Sequence, residues 1–203
     1  MRLLVFSDIH GDLAALRRLM ETEADLYFAA GDLVNFARGF DKVGPLLATK
    51  AAQMYVIPGN HESESDIATF CAEYGLHSLH GEIVQHGGWN IGGLGYSNRT
   101  PFNTPGEYTE EQLAARLKPF HGVENLVMIC HCPPYGTTLD EAQKGKHFGS
   151  HSIRDFIAQQ QPKWFFCGHI HEAWGRREAI VNSHCVNAGP KGYLLELDTI
   201  KSE

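Results

Sequence analysis

Side chains able to hold metal ions or move protons recur at five places in this sequence, each directly after a short apolar run. Asp8-Ile9-His10-Gly11 follows Leu3 to Phe6, and Gly31-Asp32 follows Leu26 to Ala30. Gly59-Asn60-His61-Glu62 comes after Met54 to Ile57 and Pro58, His131 after Asn125 to Cys130, and Gly168-His169-Ile170-His171 after Trp164 to Cys167. An apolar run that stops abruptly in such residues is what a buried strand delivering ligands at its carboxyl end looks like. Residues two apart share a face of an extended chain, so Asp8 and His10 are expected to converge on one cation. By the same reasoning His169 and His171 share a strand face, with Ile170 turned into the core.

The segments between these runs read as helices. Leu13 to Glu21 places Leu13, Leu16, Leu19 and Met20 at helical spacing, with Asp12 before it as a capping residue. Further helices are expected over about 40–50, 64–74, 110–117 and 150–160. Strand, helix, strand, helix, strand implies right-handed parallel crossovers that bring all the strand ends to one edge of a sheet. Glycine turns between 80–85 and 89–94 suggest an antiparallel hairpin where a second sheet begins, and three more strands fill 177–197. The stretch Tyr96 to Tyr108, rich in Asn, Thr, Pro and Gly, reads as a functional surface loop.

At 203 residues the chain fits one domain, 1–203, large enough to bury a core. No run reaches the roughly 20 apolar residues of a membrane span, and the N-terminus does not read as a cleaved signal peptide. The net charge of −7 argues against a broad nucleic-acid surface. Five cysteines without a pairing pattern point to a reducing, cytoplasmic setting. Cys130-x-Cys132 lacks the second pair that a zinc site needs.

Five motifs in this order, Asp8-x-His10, Gly31-Asp32, Gly59-Asn60-His61-Glu62, His131 and Gly168-His169-x-His171, resemble the calcineurin-like metallophosphoesterase superfamily. The resemblance spans Asp8 to His171. It implies an α/β fold, a four-layer α-β-β-α sandwich of two mixed sheets with a dimetal site at the strand ends. Carried over by position, it implies one ion held by Asp8, His10, Asp32 and His171, and a second held by Asp32, Asn60, His131 and His169. Oxygen and imidazole donors without thiolates suit two divalent or trivalent transition-metal ions such as manganese, iron, zinc or nickel. A water or hydroxide bridging such a pair would attack a phosphate ester directly, with His61 assisting the leaving oxygen.

One position departs from the family pattern. The second motif often reads Gly-Asp-x-x-Asp, its last aspartate supporting the proton-donating histidine, whereas this chain has Asn35. An amide supports an imidazolium less well, so His61 is expected to be a weaker acid here. The run His131 to Asp140, with Gly149-Ser150-His151 and His171-Glu172, looks like the small phosphodiesterase branch, cyclic nucleotides being among the substrates implied. His147 and His151 are candidates to touch phosphate or base, and Tyr135, Phe102 and Phe148 to line a nucleobase slot. Asn187-Ala188-Gly189-Pro190 resembles a structural turn near the metals. The expected partner is a small phosphate-ester substrate, with no membrane, and the oligomeric state is open. A nuclease or phosphatase using the same centre, and a catalytically silent scaffold like the phosphoesterase-like subunit of retromer, are the competing readings.

Overall fold

Alternation within single strands decides the layering. Leu3 and Val5 face one way from the first strand and Leu4 and Phe6 the other, and all four are buried, so both faces of this sheet are covered. The computed structural model describes residues 1–200; 201–203, the end of the expected domain, lie outside the described residues.

In chain order, the first half runs β1 (Arg2–Phe6), α1 (Leu13–Glu21), β2 (Leu26–Ala30), α2 (Phe40–Leu47), β3 (Met54–Ile57), α3 (Glu64–Tyr74) and β4 (His77–Ser78). The middle comprises β5 (Ile83–His86), β6 (Trp89–Leu94), β7 (Ser97–Asn98), β8 (Glu107–Tyr108), α4 (Glu110–Leu117), β9 (Leu126–Cys130), β10 (Glu141–Gln143) and β11 (Lys146–His147). The last part is α5 (His151–Gln160), β12 (Trp164–Cys167), β13 (Arg177–Ile180), β14 (Ser183–Asn187) and β15 (Tyr193–Glu196).

One sheet has the order β15-β1-β2-β3-β4 and the other β13-β14-β12-β9-β6-β5. Both are mixed: β1, β2 and β3 run parallel while β15 is antiparallel, and β6, β9, β12 and β14 run parallel between antiparallel β5 and β13. Three apolar layers result. Val5, Phe28, Ile57, Val127, Ile129 and Phe166 fill the space between the sheets. Leu16, Val43, Leu47 and Phe70 from α1, α2 and α3 cover the first sheet, and Leu113, Ile153 and Phe156 from α4 and α5 cover the second. The four-layer α-β-β-α expectation therefore holds.

Helix starts follow their caps. Asp12 accepts hydrogen bonds from the Ala14 and Ala15 N–H groups, and Ser63 with Asp66 forms a capping box that starts α3 immediately after the Asn60-His61-Glu62 turn. The helix expected over 40–50 is shorter: α2 contains Pro45 and tightens to a 3-10 turn from Ala48. Among the described residues no helix is long and apolar enough to cross a membrane.

Candidate metal centre

The parallel strands β1, β2, β3, β9 and β12 all end at one edge, and the loops that leave them are hydrogen-bonded to each other. Asp8 N–H donates to the Gly31 carbonyl (3.0 Å), His10 N–H to Asp32 (2.9 Å) and Gly168 N–H to His131 (3.1 Å). Close approach is required here. Gly31 has φ +91°, and a side chain on it would lie 2.6 Å from Gly59 and 2.7 Å from the His131 ring.

The convergence of Asp8 with His10, and of His169 with His171, arises differently from expectation. The strands end at Phe6 and Cys167, and Asp8, His10, Asp32 and His169 sit in the left-handed region at φ 54°, 46°, 54° and 69°. His171 opens a single 3-10 turn. Left-handed turns, rather than strand alternation, aim these side chains, and such conformations concentrate at functional sites. Ile170 is buried but joins none of the apolar layers and lines the cleft beside His169 and His171, so the expectation that it turns into the core is corrected.

Three groups of side chains could each hold a cation: Asp8, His10 and His171; Asp32, His131 and His169; and His10, Asp32 and His61, which draws one member from each of the other two and adds His61. Asp32 Oδ2 lies 3.4 Å from His131 Nε2 and 3.7 Å from His10 Nε2, so this one oxygen stands between the first two groups. His171 Nε2 is 3.1 Å from His10 Nε2 and 3.8 Å from Asp8 Oδ1. Asn60 Oδ1 is 3.0 Å from His131 Nε2 and 2.8 Å from His169 Nδ1.

The atoms facing inward are acceptors, and the hydrogen bonds behind them show why. The Ala30 carbonyl can only accept, so His131 Nδ1 donates to it at 2.9 Å, and Nε2 faces inward, a lone pair once the ring gives up its second proton to a competing cation. His10 Nδ1 donates to Asn35 Oδ1 at 2.9 Å, with the same result at its Nε2. Thr104 Oγ1 donates to Glu107 (2.6 Å) and accepts from Asn60 Nδ2 (3.2 Å), which turns the Asn60 oxygen toward the histidines. Converging acceptor atoms, with a proton held between Asp32 and His131, fit a cation.

Electrostatics agree. Burial raises the Asp32 carboxyl, but the charge and hydrogen bond of His131, with His10, outweigh it and hold Asp32 well below the usual carboxylate range. Burial likewise lowers His131, yet Asp32 lifts it to about 9, so in the metal-free chain a proton occupies the place between them. His169 is pushed down to about 3 by burial and by the charge on His131. All five cysteines are free and buried, and burial pushes the Cys132 thiol up to about 12; it donates to Asn98, consistent with a site that uses no thiolate.

His61 lies beside the centre, its ring edge-on to His10 with centroids 5.2 Å apart. The Phe36 N–H donates to His61 Nδ1 at 3.4 Å, so the ring proton sits on Nε2. Burial, the largest influence, holds His61 below its ordinary pKa despite the opposing pull of Asp32. The Asn35 side chain makes no hydrogen bond to His61 among the described residues and does not line the cleft; its amide is committed to the His10 ring and, at 3.4 Å, to the His10 carbonyl. The expectation that Asn35 supports His61 is therefore corrected: the turn that carries it points it across to the Asp8-His10 loop.

A cleft of about 710 Å³ opens over the centre. Asp32, Asn60, His61, His169 and His171 form its floor, and Tyr135, His147, His151, Phe102 and Phe148 all line it. His147 Nδ1 donates to buried Asp140 at 2.8 Å, and Tyr135 stacks on His151 with centroids 3.9 Å apart.

Two residues of the site, Glu62 and Thr104, had no role from sequence, and a third, Asn187, was read there only as part of a structural turn near the metals. Glu62 is wholly buried and accepts from the N–H groups of Asp32 (3.0 Å), Val34 (3.0 Å) and Gly59 (2.8 Å), clamping the ends of β2 and β3 together. Burial and the nearby Asp32 charge push it up to about 8. Thr104 orients Asn60, and Asn187 donates from Nδ2 to the carbonyls of Leu139, Gly168 and Ile170, bracing the His169 turn. The Gly59-to-Glu62 turn hinted at Glu62, since a carboxylate beside a glycine at a buried strand end needs donors; nothing in the sequence marked Thr104.

The chain belongs to the calcineurin-like phosphoesterase family, whose model matches residues 1–173. It is similar to an uncharacterized protein of Methanocaldococcus jannaschii, 31% identical over 208 residues, covering 100% of this chain and 94% of that one. Its fold resembles a crystal structure from Thermus thermophilus (TM-score 0.73, 19% identity, covering 94% of this chain and 90% of that one). It also resembles a dimetal phosphatase from Danio rerio (TM-score 0.59, 13% identity, 92% and 86%).

Proposed function

We propose that this chain hydrolyses phosphate esters, diesters in preference to monoesters, at a centre of two divalent metal ions. The observation that carries this reading is the position of Asp32 Oδ2, 3.4 Å and 3.7 Å from histidines of two separate ligand groups. A carboxylate so placed is suited to bridge two cations. Asp8, His10, Asp32 and His171 would hold one ion, and Asp32, Asn60, His131 and His169 the other. Such ions, when bound, supply positive charge for the phosphoryl oxygens and for the activation of water.

The chain's own groups do the rest. Asp32 Oδ1 accepts from the His61 N–H at 3.0 Å, which fixes both the shared oxygen and the neighbouring ring. His61, neutral with its proton on Nε2, donates a hydrogen bond toward the departing oxygen and so limits the charge that builds there. A neutral imidazole gives less help than an imidazolium, which favours esters with good leaving groups. The preference for diesters rests on charge. Among the described residues lining the cleft, Arg99 is the only lysine or arginine and Glu172 stands exposed, so beyond the ions themselves little positive charge meets the second negative charge of a monoester.

The test is a screen of phosphomonoesters and phosphodiesters against protein reconstituted with manganese, iron, zinc or nickel. Diesters are expected to show the higher kcat/KM. Faster monoester turnover would overturn the preference, and no turnover with two ions bound would overturn the assignment as an enzyme in favour of a binding scaffold.

A further inference from the structure

Seven large apolar side chains are exposed among the described residues, and five of them stand around the centre. Phe36 packs edge-on against His61 with centroids 4.7 Å apart, and Trp174 lies over His171 at 4.5 Å. The other three, Phe102 (77% exposed), Phe148 (48%) and Tyr135 (38%), line the cleft itself. Scattered exposed apolar residues call for no explanation, but aromatic rings gathered on one cleft wall beside a polar floor do.

This wall is built, not loose. Tyr135 N–H donates to Ser150 O and Ser150 N–H to Pro133 O, both at 2.9 Å, so the Tyr135 backbone is pinned four residues after His131. Its ring stacks on His151 at an interplanar angle of 30° and meets the His147 ring at 64°, and all three line the cleft. Asn98 Nδ2 donates to the carbonyls of Phe148 (3.1 Å) and Gly149 (3.2 Å), which ties the Phe102-bearing loop to the Phe148 turn. The Phe102 N–H is held by Thr100 Oγ1 at 3.1 Å. Two separate segments thus present flat rings into one space whose floor is the metal centre. At about 710 Å³ that space exceeds what a phosphoryl group needs and falls in the range of sites for organic ligands.

We infer that Tyr135, Phe148 and Phe102 form a subsite for a planar aromatic ring carried by the phosphate ester, aryl or nucleobase, stacked while its phosphoryl group sits at the centre. The inference rests on the phosphoesterase reading and adds the class of ester. Stacking of a ring on an aromatic side chain is worth roughly a factor of ten or more in binding. Tyr135 needs only its ring for this role, since its hydroxyl has no hydrogen-bond partner among the described residues.

Metal-loaded wild-type protein, Tyr135→Ala, Tyr135→Phe and Phe148→Ala would be titrated calorimetrically with inorganic phosphate, phenyl phosphate and adenosine 5′-monophosphate. Wild type is expected to bind the ring-bearing compounds about tenfold or more tightly than inorganic phosphate. Tyr135→Ala and Phe148→Ala should each remove most of that advantage, and Tyr135→Phe should keep it. A nucleotide held more tightly than phenyl phosphate assigns the ring to a nucleobase; equal affinity assigns the subsite to aryl groups generally, and either supports the inference. Phosphate binding with no advantage for a ring, or an advantage intact in both alanine variants, overturns this inference alone. Failure of inorganic phosphate to bind overturns the phosphoesterase reading, and the subsite with it.

Discussion

Replacing Asn35 by alanine removes the acceptor behind the His10 ring and leaves His61 untouched, so it separates two accounts of this residue. The Asn35 Oδ1 to His10 Nδ1 contact is 2.9 Å and solvent-exposed. Losing the group that orients a metal-holding histidine costs about 10- to 100-fold in metal affinity. Because water can replace the amide at an exposed position, the lower end applies: about tenfold, or roughly 1.4 kcal/mol. Asn35→Asp should act oppositely, since a carboxylate accepts the same proton more strongly and makes Nε2 a better donor to a cation. The assay is activity against chelator-buffered metal concentration, together with the dependence of rate on leaving-group pKa for substituted phenyl phosphodiesters. The half-saturating metal concentration should rise about tenfold in Asn35→Ala and fall in Asn35→Asp. The leaving-group slope at saturating metal should stay that of wild type in both. A changed slope with unchanged metal affinity would refute the placement of Asn35 behind His10 and restore a role toward His61.

His61→Ala should retain its metal content while kcat falls by about 10²- to 10⁴-fold; equal losses of metal and rate would place His61 among the ligands. In metal-loaded protein, Glu62→Gln exchanges an acceptor for an NH2 group facing backbone donors. That should cost about 1 to 3 kcal/mol, or roughly 2 to 12 °C in melting temperature, whereas exposed Glu21→Gln should not shift it. The metal-free protein should lose stability as pH rises from 6.5 to 9. His131 is raised to about 9, so its contribution is complete below its unfolded value near 6.5 and lost as pH passes 9. Glu62, raised to about 8, releases its proton at higher pH when folded than when unfolded and adds a loss in the same direction up to pH 8. Thermal melts of chelated protein check this; a melting temperature that climbs over that interval would show that the Asp32–His131 interaction is wrongly described.

The layers and most of the site were readable because both are written locally. Continuous apolar runs such as Leu26 to Ala30 announce strands buried on both faces, which layers on either side must cover, and each run ends at its chemistry. What joins the strand ends was not readable. Asp8 and His169 meet across 161 positions, the His169 N–H donating to Asp8 Oδ1 at 2.9 Å, and the left-handed turns that allow this occur at Asp and His rather than at glycine alone. Asn35 was misdirected for a related reason: sequence shows that an amide stands three residues after Asp32, but not which of two neighbouring histidines its oxygen reaches. Thr104, inside the 96–108 loop, acts only through Asn60 and Glu107, a chain of hydrogen bonds with no sequence spacing to announce it.

The central claim, one carboxylate shared by two metal ions, is tested most directly by counting ions. Elemental analysis of wild-type protein and of Asp32→Asn, each purified without chelator, saturated with one candidate metal and freed of excess, should give about two ions per chain for wild type. Asp32→Asn should lose tight binding of both, because its single substitution removes charge from both groups of ligands at once. A wild-type protein saturating at one ion, or an Asp32→Asn variant that keeps two, would contradict the account.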